Sequence, residues 1–123
     1  MRALLVAFAA VQLVLGVLLW VAPGFFHDEI GPYGPRNDHY MGDLATWYLA
    51  LGGVTLASLS RVSWRLPVLV LAFAQYALHS VNHLLDIGEA DPSWLGPANF
   101  VSLVLATVLL AWMLQAERRP EPE

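Results

Sequence analysis

The sequence predicts an all-α integral membrane protein, a four-helix bundle in one domain spanning residues 1–123, and three observations lead there. Hydrophobic residues make up 58% of the chain and charged residues only 13%, whereas soluble domains carry about 25% charged residues. The apolar residues gather into long runs separated by stretches rich in proline and glycine. Finally, basic residues, acidic residues and tryptophans sort to opposite ends of those runs as a bilayer would sort them.

The first helix is expected over residues 3–21, a run broken only by Gln12 and Gly16. At 1.5 Å per residue it is long enough to cross a hydrocarbon core of about 30 Å. Arg2 ahead of an apolar core could also open a secretory signal. The run exceeds a usual signal core, however, and no A-x-A site follows, so it reads as a spanning helix stopped at Pro23-Gly24.

Residues 22–38 read as an outer loop, because Pro32 and Pro35 remove donors and Gly31 and Gly34 free the backbone. Phe25, Phe26, Ile30 and Tyr33 give that loop an apolar side suited to a membrane interface. The second helix, residues 39–60, has Asn37 or Asp38 as N-cap and Asp43 near the positive end of its dipole. His39, Asp43 and Thr46 share one arc of it, with Gly42, Ala50 and Gly53 close by, and small residues admit a neighbouring backbone, within the chain or in a homodimer.

A connection carrying Arg61 and Arg65 leads to the third helix, residues 65–86, with Pro67 in its first turn. A second outer loop, 87–97, precedes the fourth helix, 98–114, and a charged tail of 115–123 is expected to fray. Four spans put both termini on one side, together with Arg2, Arg61, Arg65, Arg118 and Arg119. Only Arg36 falls on the other side. The positive-inside rule makes the arginine side cytoplasmic. Asp28, Glu29, Asp38, Asp43, Asp86, Glu89, Asp91 and all the histidines then lie in the outer half, an attractor for cations. Trp20 and Trp94 mark one interface and Trp64 and Trp112 the other.

No cysteine is present, which excludes disulfides, thiolate metal sites and thiol nucleophiles. Every basic residue is arginine, a composition expected of a GC-rich bacterial genome and hence of a bacterial cytoplasmic membrane. Nucleic-acid binding, phosphate loops and a nucleophile elbow have no support, since neither a basic patch nor a matching motif occurs.

The chemistry concentrates in Q-Y-A-L-H-S-V-N-H-L-L-D, residues 75–86. At about 100° per residue, Gln75, Tyr76, His79, Asn82, His83 and Asp86 fall on one arc of roughly 120°. Leu78, Val81, Leu84 and Leu85 fall on the other, facing lipid, and ionisable groups in a spanning helix usually mark a site. Antiparallel neighbours bring His39 and Asp43 to the same depth. His39, Asp43, His79, His83 and Asp86 are therefore expected to converge on a divalent transition metal, Zn, Fe, Mn or Cu. Gln75, Asn82 and Asn99 would orient the ligands, and Tyr40 and Tyr76 would line the pocket.

Several mechanisms fit these residues. A metal-bound water would make the protein a hydrolase or hydratase. Without metal, Asp43 as base and His79 as acid would serve isomerisation, cyclisation or epoxide opening of a small hydrophobic molecule taken from the lipid. Haem is a further reading, with His79 and a histidine of another helix as axial ligands. The contrasting class is a non-enzymatic accessory or ligand-binding protein whose polar cluster holds the helices in register. His27, beside Asp28 and Glu29, reads as a solvated interfacial residue, and Gln12 as a bond between helices.

The P-G-F-F exit from the first helix, the D-L-A-x-x-Y-L-A-L-G stretch of the second and the R-x-x-x-R turn resemble the DoxX-like small bacterial four-helix membrane proteins. That resemblance covers architecture over most of the chain and implies redox or quinone-linked roles. It assigns no residue of the 75–86 segment.

Overall fold

The computed structural model describes residues 1–118; of the tail expected to fray, residues 115–117 continue the last helix, and residues 119–123 lie outside the described residues. Among the described residues the chain is helical: α1 (Arg2–Val21), α2 (Pro23–Glu29), α3 (Asp38–Ala57), α4 (Arg65–Leu85) and α5 (Leu95–Glu117), with a 3-10 turn at Val62–Trp64. By length and composition α1, the Val62–Leu85 segment and α5 are able to cross a membrane. Three of the four expected spans are met by these helices. The twenty residues of α3 match a bilayer in length, but Asp38, His39, Asp43 and its glycines dilute its apolar character.

α3 closes at Ala57 rather than at residue 60 and α5 runs on to Glu117 rather than 114, and two helix starts differ from the expected ones for one reason, the tolerance of a helix start for proline. Pro23 ends α1 and also opens α2 at the first helical position, where no intrahelical N–H bond is needed. Residues 23–29 are thus a short helix within the stretch read as loop. Likewise Pro97 falls in the first turn of α5, which begins at Leu95 rather than at residue 98. Asn37 is the N-cap of α3, its side chain accepting from the Tyr40 N–H at 3.2 Å.

The long helices associate as pairs, α1 with α3 and α4 with α5, and the two pairs meet less extensively. Lipid tails are as apolar as leucine, so helices in lipid associate chiefly by close van der Waals packing. Small residues provide it here. Leu49 of α3 sits against Gly16 of α1, where a Cβ would approach its Cγ to 2.8 Å, and Leu13 of α1 sits in the same way against Gly52 of α3. The reciprocal seats fix α1 and α3 antiparallel and turn Ala45, Tyr48, Gly52 and Thr55 inward. Gly42 and Gly53, expected to receive a neighbour, face open space, and Gly52 is the glycine of close approach.

A core of Leu5, Leu51, Val68, Leu69, Ala72, Tyr76, Leu110, Met113 and Leu114 joins all four long helices at the end that carries the termini. Arg65 strengthens that end, donating to the Ser58 carbonyl at 3.2 Å and lying 4.0 Å from Glu117. Midway along, the buried Gln12 donates to the Tyr76 hydroxyl at 2.6 Å, a bond between α1 and α4. Beyond it, Leu19, Ala45 and Tyr48 form a smaller core with Leu15 and Phe26, drawn from α1, α2 and α3 alone. The pairs are therefore joined at one end and parted at the other, and a cavity occupies the parted end. Trp20, Trp64, Trp94 and Trp112 are all surface residues, in keeping with interfacial belts.

Placing a larger residue in either glycine seat overfills the α1–α3 contact. Gly52→Val is expected to destabilise the protein by about 1–3 kcal/mol, and Gly53→Val far less. Unfolding midpoints in detergent compare the two.

Candidate functional site

The cavity, about 360 Å³, lies among all four long helices beneath α2. Leu15, Leu44 and Leu103 line its apolar walls, and Phe26 and Ile30 cover it from α2 and the residue that ends it. One wall is polar, made of Tyr33, His79, His83, Asn99 and Ser102. His79 and His83, one turn apart on α4, lie with their Nε2 atoms 3.1 Å from each other. The Nδ1 of His83 is 3.0 Å from the Tyr33 hydroxyl, and the Nδ1 of His79 is 3.5 Å from the Gln75 amide. Asn99 donates to the Ile30 carbonyl at 2.8 Å, and its amide is 3.5 Å from the Tyr33 oxygen. A continuous chain thus runs from Gln75 through both imidazoles to Tyr33.

Tyr33 is brought to the histidines by the loop after α2. Gly34 follows in the left-handed region at φ 60°, which favours glycine. Tyr33 also pairs with Ala90 as an isolated antiparallel bridge, and the Asp91 N–H reaches the Pro32 carbonyl at 3.4 Å, so the two loops brace each other. Its ring meets that of His83 edge to face, with centroids 4.9 Å apart. The base of the second loop is equally tight, because a Cβ on Gly96 would overlap the Ile87 carbonyl oxygen.

The structure does not assemble the expected five-residue metal set. His39 and Asp43 pair with each other at 3.7 Å, with side chains 83% and 67% exposed, on the face of α3 turned away from α1. Neither lines the cavity. Equal depth on antiparallel helices did not bring them to His79, because rotation of α3 is set by the Gly52 seat. Asp86 follows the end of α4 and accepts from Asn82 at 3.3 Å, outside the cavity wall. Among the described residues no group of three or more His, Asp or Glu is placed to hold a metal ion. Two imidazoles alone fall short of the three protein ligands usual in a catalytic zinc site.

Other expected residues sort individually. Gln75 and Asn99 touch the His/Tyr chain, whereas Asn82 is exposed. Tyr76 belongs to the core, stacked at a tilt on Phe8 and bonded to Gln12. Tyr40 lines a neighbouring, more open cavity of about 280 Å³ with Arg36 and Met41. Tyr33 and Tyr48 are site residues that the sequence reading placed elsewhere, one in a loop and one in packing. Nothing in the order of residues pairs Tyr33 with His83, fifty positions away.

The cover over the cavity carries its own charge pattern. Both ring nitrogens of His27 face acceptors, Asp28 Oδ1 at 3.0 Å and the Gly34 carbonyl at 3.1 Å, and only the imidazolium donates to both. The Asp28 hydrogen bond, then the Gly34 carbonyl, raise the His27 pKa above its ordinary 6.5. Arg36 grips Asp38 with two hydrogen bonds, one of 2.8 Å, and lies over Gly24 at the start of α2. Because the folded pKa of His27 is raised, its contribution to holding the cover is complete below the unfolded value of 6.5. It is lost as pH rises through the folded midpoint. An NMR titration of the His27 ring should give a midpoint above 6.5 that falls in Asp28→Asn.

His39→Ala and Asp43→Asn, on an open surface, are each expected to change stability by less than about 0.5 kcal/mol. Thermal unfolding in detergent checks this. No protein-family model, curated protein or solved structure matches the chain.

Proposed function

We propose that this chain is a multi-pass membrane protein whose cavity takes a small hydrophobic molecule from the lipid and exchanges protons with it through Tyr33, His83 and His79. The observation that carries this reading is the hydrogen-bonded string ending at the wall of an otherwise apolar cavity. Convergent polar groups in an apolar pocket are the usual form of a binding site for a small molecule. Tyrosine and histidine are competent acids and bases when held at hydrogen-bond distance. Isomerisation, cyclisation and epoxide opening are the reaction types within their reach.

In this reading α3 is the fourth membrane helix, shielded on one face by α1, and the bundle has its termini in the cytoplasm with the cavity toward the outer face. The arginine distribution supports that orientation. The likeness to DoxX-like proteins remains one of layout and supplies no residue of the site.

A second reading has a specific observation behind it: no carboxylate lines the cavity. Without Asp43 as base, the site could bind its molecule and leave it unchanged, as an accessory or carrier protein does. One experiment separates the two. Small lipophilic ketones, alcohols and epoxides are tested for thermal stabilisation of the purified protein, and each ligand found is incubated in D₂O and examined by mass spectrometry. The enzymatic reading expects deuterium incorporation or conversion, reduced about 10²–10⁴-fold in His83→Gln and Tyr33→Phe. Binding without exchange selects the carrier reading, and failure of every compound to bind overturns both.

A further inference from the structure

Resting on the reading of the cavity as a pocket for a small lipophile, we infer that Tyr48 is a binding residue in it, and that the occupant is a neutral molecule whose acceptor oxygen takes the hydrogen bond of the Tyr48 hydroxyl. Six polar side chains line the cavity: Tyr33, Tyr48, His79, His83, Asn99 and Ser102. Five of them already have partners in the protein. Tyr33, His83 and His79 are linked in series, Asn99 donates to the Ile30 carbonyl, and Ser102 donates to the Asn99 carbonyl at 2.8 Å. Tyr48 has no hydrogen-bond partner among the described residues, although the residue is only 6% exposed.

The hydroxyl is not sealed inside the protein either. The buried side-chain polar atoms without partners are Gln12 Oε1, Trp47 Nε1 and Gln75 Oε1, and the Tyr48 oxygen is not among them. It therefore keeps accessible surface, on the cavity that Tyr48 lines. The rest of the side chain is packed, with Leu19 and Ala45 in the core shared by α1, α2 and α3. A phenylalanine would fill that place equally well and leave no hydroxyl to satisfy. A phenol donor in apolar surroundings is unfavourable without an acceptor, and an oxygen brought by the occupant supplies one.

The position of Tyr48 suits the task. It lies on α3 one turn before the Gly52 seat, so its rotation is fixed by the closest contact in the fold between α1 and α3. The histidines belong to α4, and Asn99 and Ser102 to α5. A molecule held by Tyr48 thus touches the α1–α3 pair while resting against the polar wall of the other, and it joins the pairs at the end where the protein leaves them parted. The lining limits what that molecule is. No Asp, Glu, Lys or Arg is present to balance an ionic headgroup, and a plain hydrocarbon gives the hydroxyl nothing to bond. A lipophilic ketone, ester, ether or epoxide meets both conditions, and at about 360 Å³ the cavity admits a small one.

The test measures the concentration-dependent thermal stabilisation of full-length protein in detergent by 2-undecanone and by undecane, in the parent and in Tyr48→Phe. Comparing the two proteins for each probe cancels partitioning into the micelle. Tyr48→Phe should weaken 2-undecanone about 5–10-fold, the worth of one hydrogen bond, and leave undecane unchanged. Equal affinity of the two proteins for the ketone overturns the inference. A parallel loss for both probes also overturns it, because the hydroxyl then acts on cavity water or packing rather than on the occupant's oxygen. The empty protein gives a separate check that needs no ligand. With no bond to lose, Tyr48→Phe should unfold at the same temperature as the parent or higher, whereas Tyr76→Phe, which loses the bond from Gln12, should unfold lower and keep the preference for the ketone. A lower midpoint in Tyr48→Phe overturns the inference by showing that the hydroxyl is employed within the protein. Failure of both probes to stabilise the parent overturns the pocket reading and the role of Tyr48 with it.

Discussion

Two helices surrounded by lipid gain little by pressing leucines together, since the tails offer the same surroundings; what holds them is backbone approach close enough to bring many atoms into contact. In this chain the reciprocal seats of Leu49 on Gly16 and Leu13 on Gly52 meet that demand. Most of the architecture depends on them. They fix the rotation of α3 and leave Tyr48 facing α1 and the cavity. They also turn His39 and Asp43 to the outside. The core at the terminal end ties this pair to α4 and α5, and the lack of an equivalent four-helix core at the other end leaves the space that α2 covers.

The polar groups around that space come from elements of unequal stiffness. His79 and His83 ride on α4, Asn99 on α5, and Tyr33 on a loop braced by its bridge to Ala90. Each helical member is held by neighbours that are themselves packed or bonded, as with Ser80, which lies between the histidines and reaches Thr107 of α5 at 3.1 Å. A buried chain of this kind is strong when complete and unfavourable when broken, because the low dielectric acts in both directions. Its completeness therefore rests on the loop as much as on the helices.

How far the sequence disclosed these arrangements follows from the range of the interactions involved. Helix existence, the exit at Pro23, and the shared face of Gln75, His79 and His83 depend on local periodicity and composition, and they were legible. Asn99, expected to orient a metal ligand, instead bonds the Ile30 carbonyl and approaches the Tyr33 oxygen. The error over His39 and Asp43 has a definite cause. Depth along a helix can be counted in residues, but rotation about its axis depends on which small residue accepts a neighbour, and Gly52 and Gly53 are adjacent letters about 100° apart. Tyr33 was illegible as a site residue for another reason: its position is a product of loop closure, set by Gly34 and by the bridge to Ala90, and no period encodes it.

Tyr33 also belongs to the lining of the second, more open cavity under Arg36, and with Phe26, Gly31 and Leu44 it forms the partition between the two chambers. The closure of that partition and the 3.0 Å contact with His83 thus depend on one and the same side chain, as a keystone serves two arches.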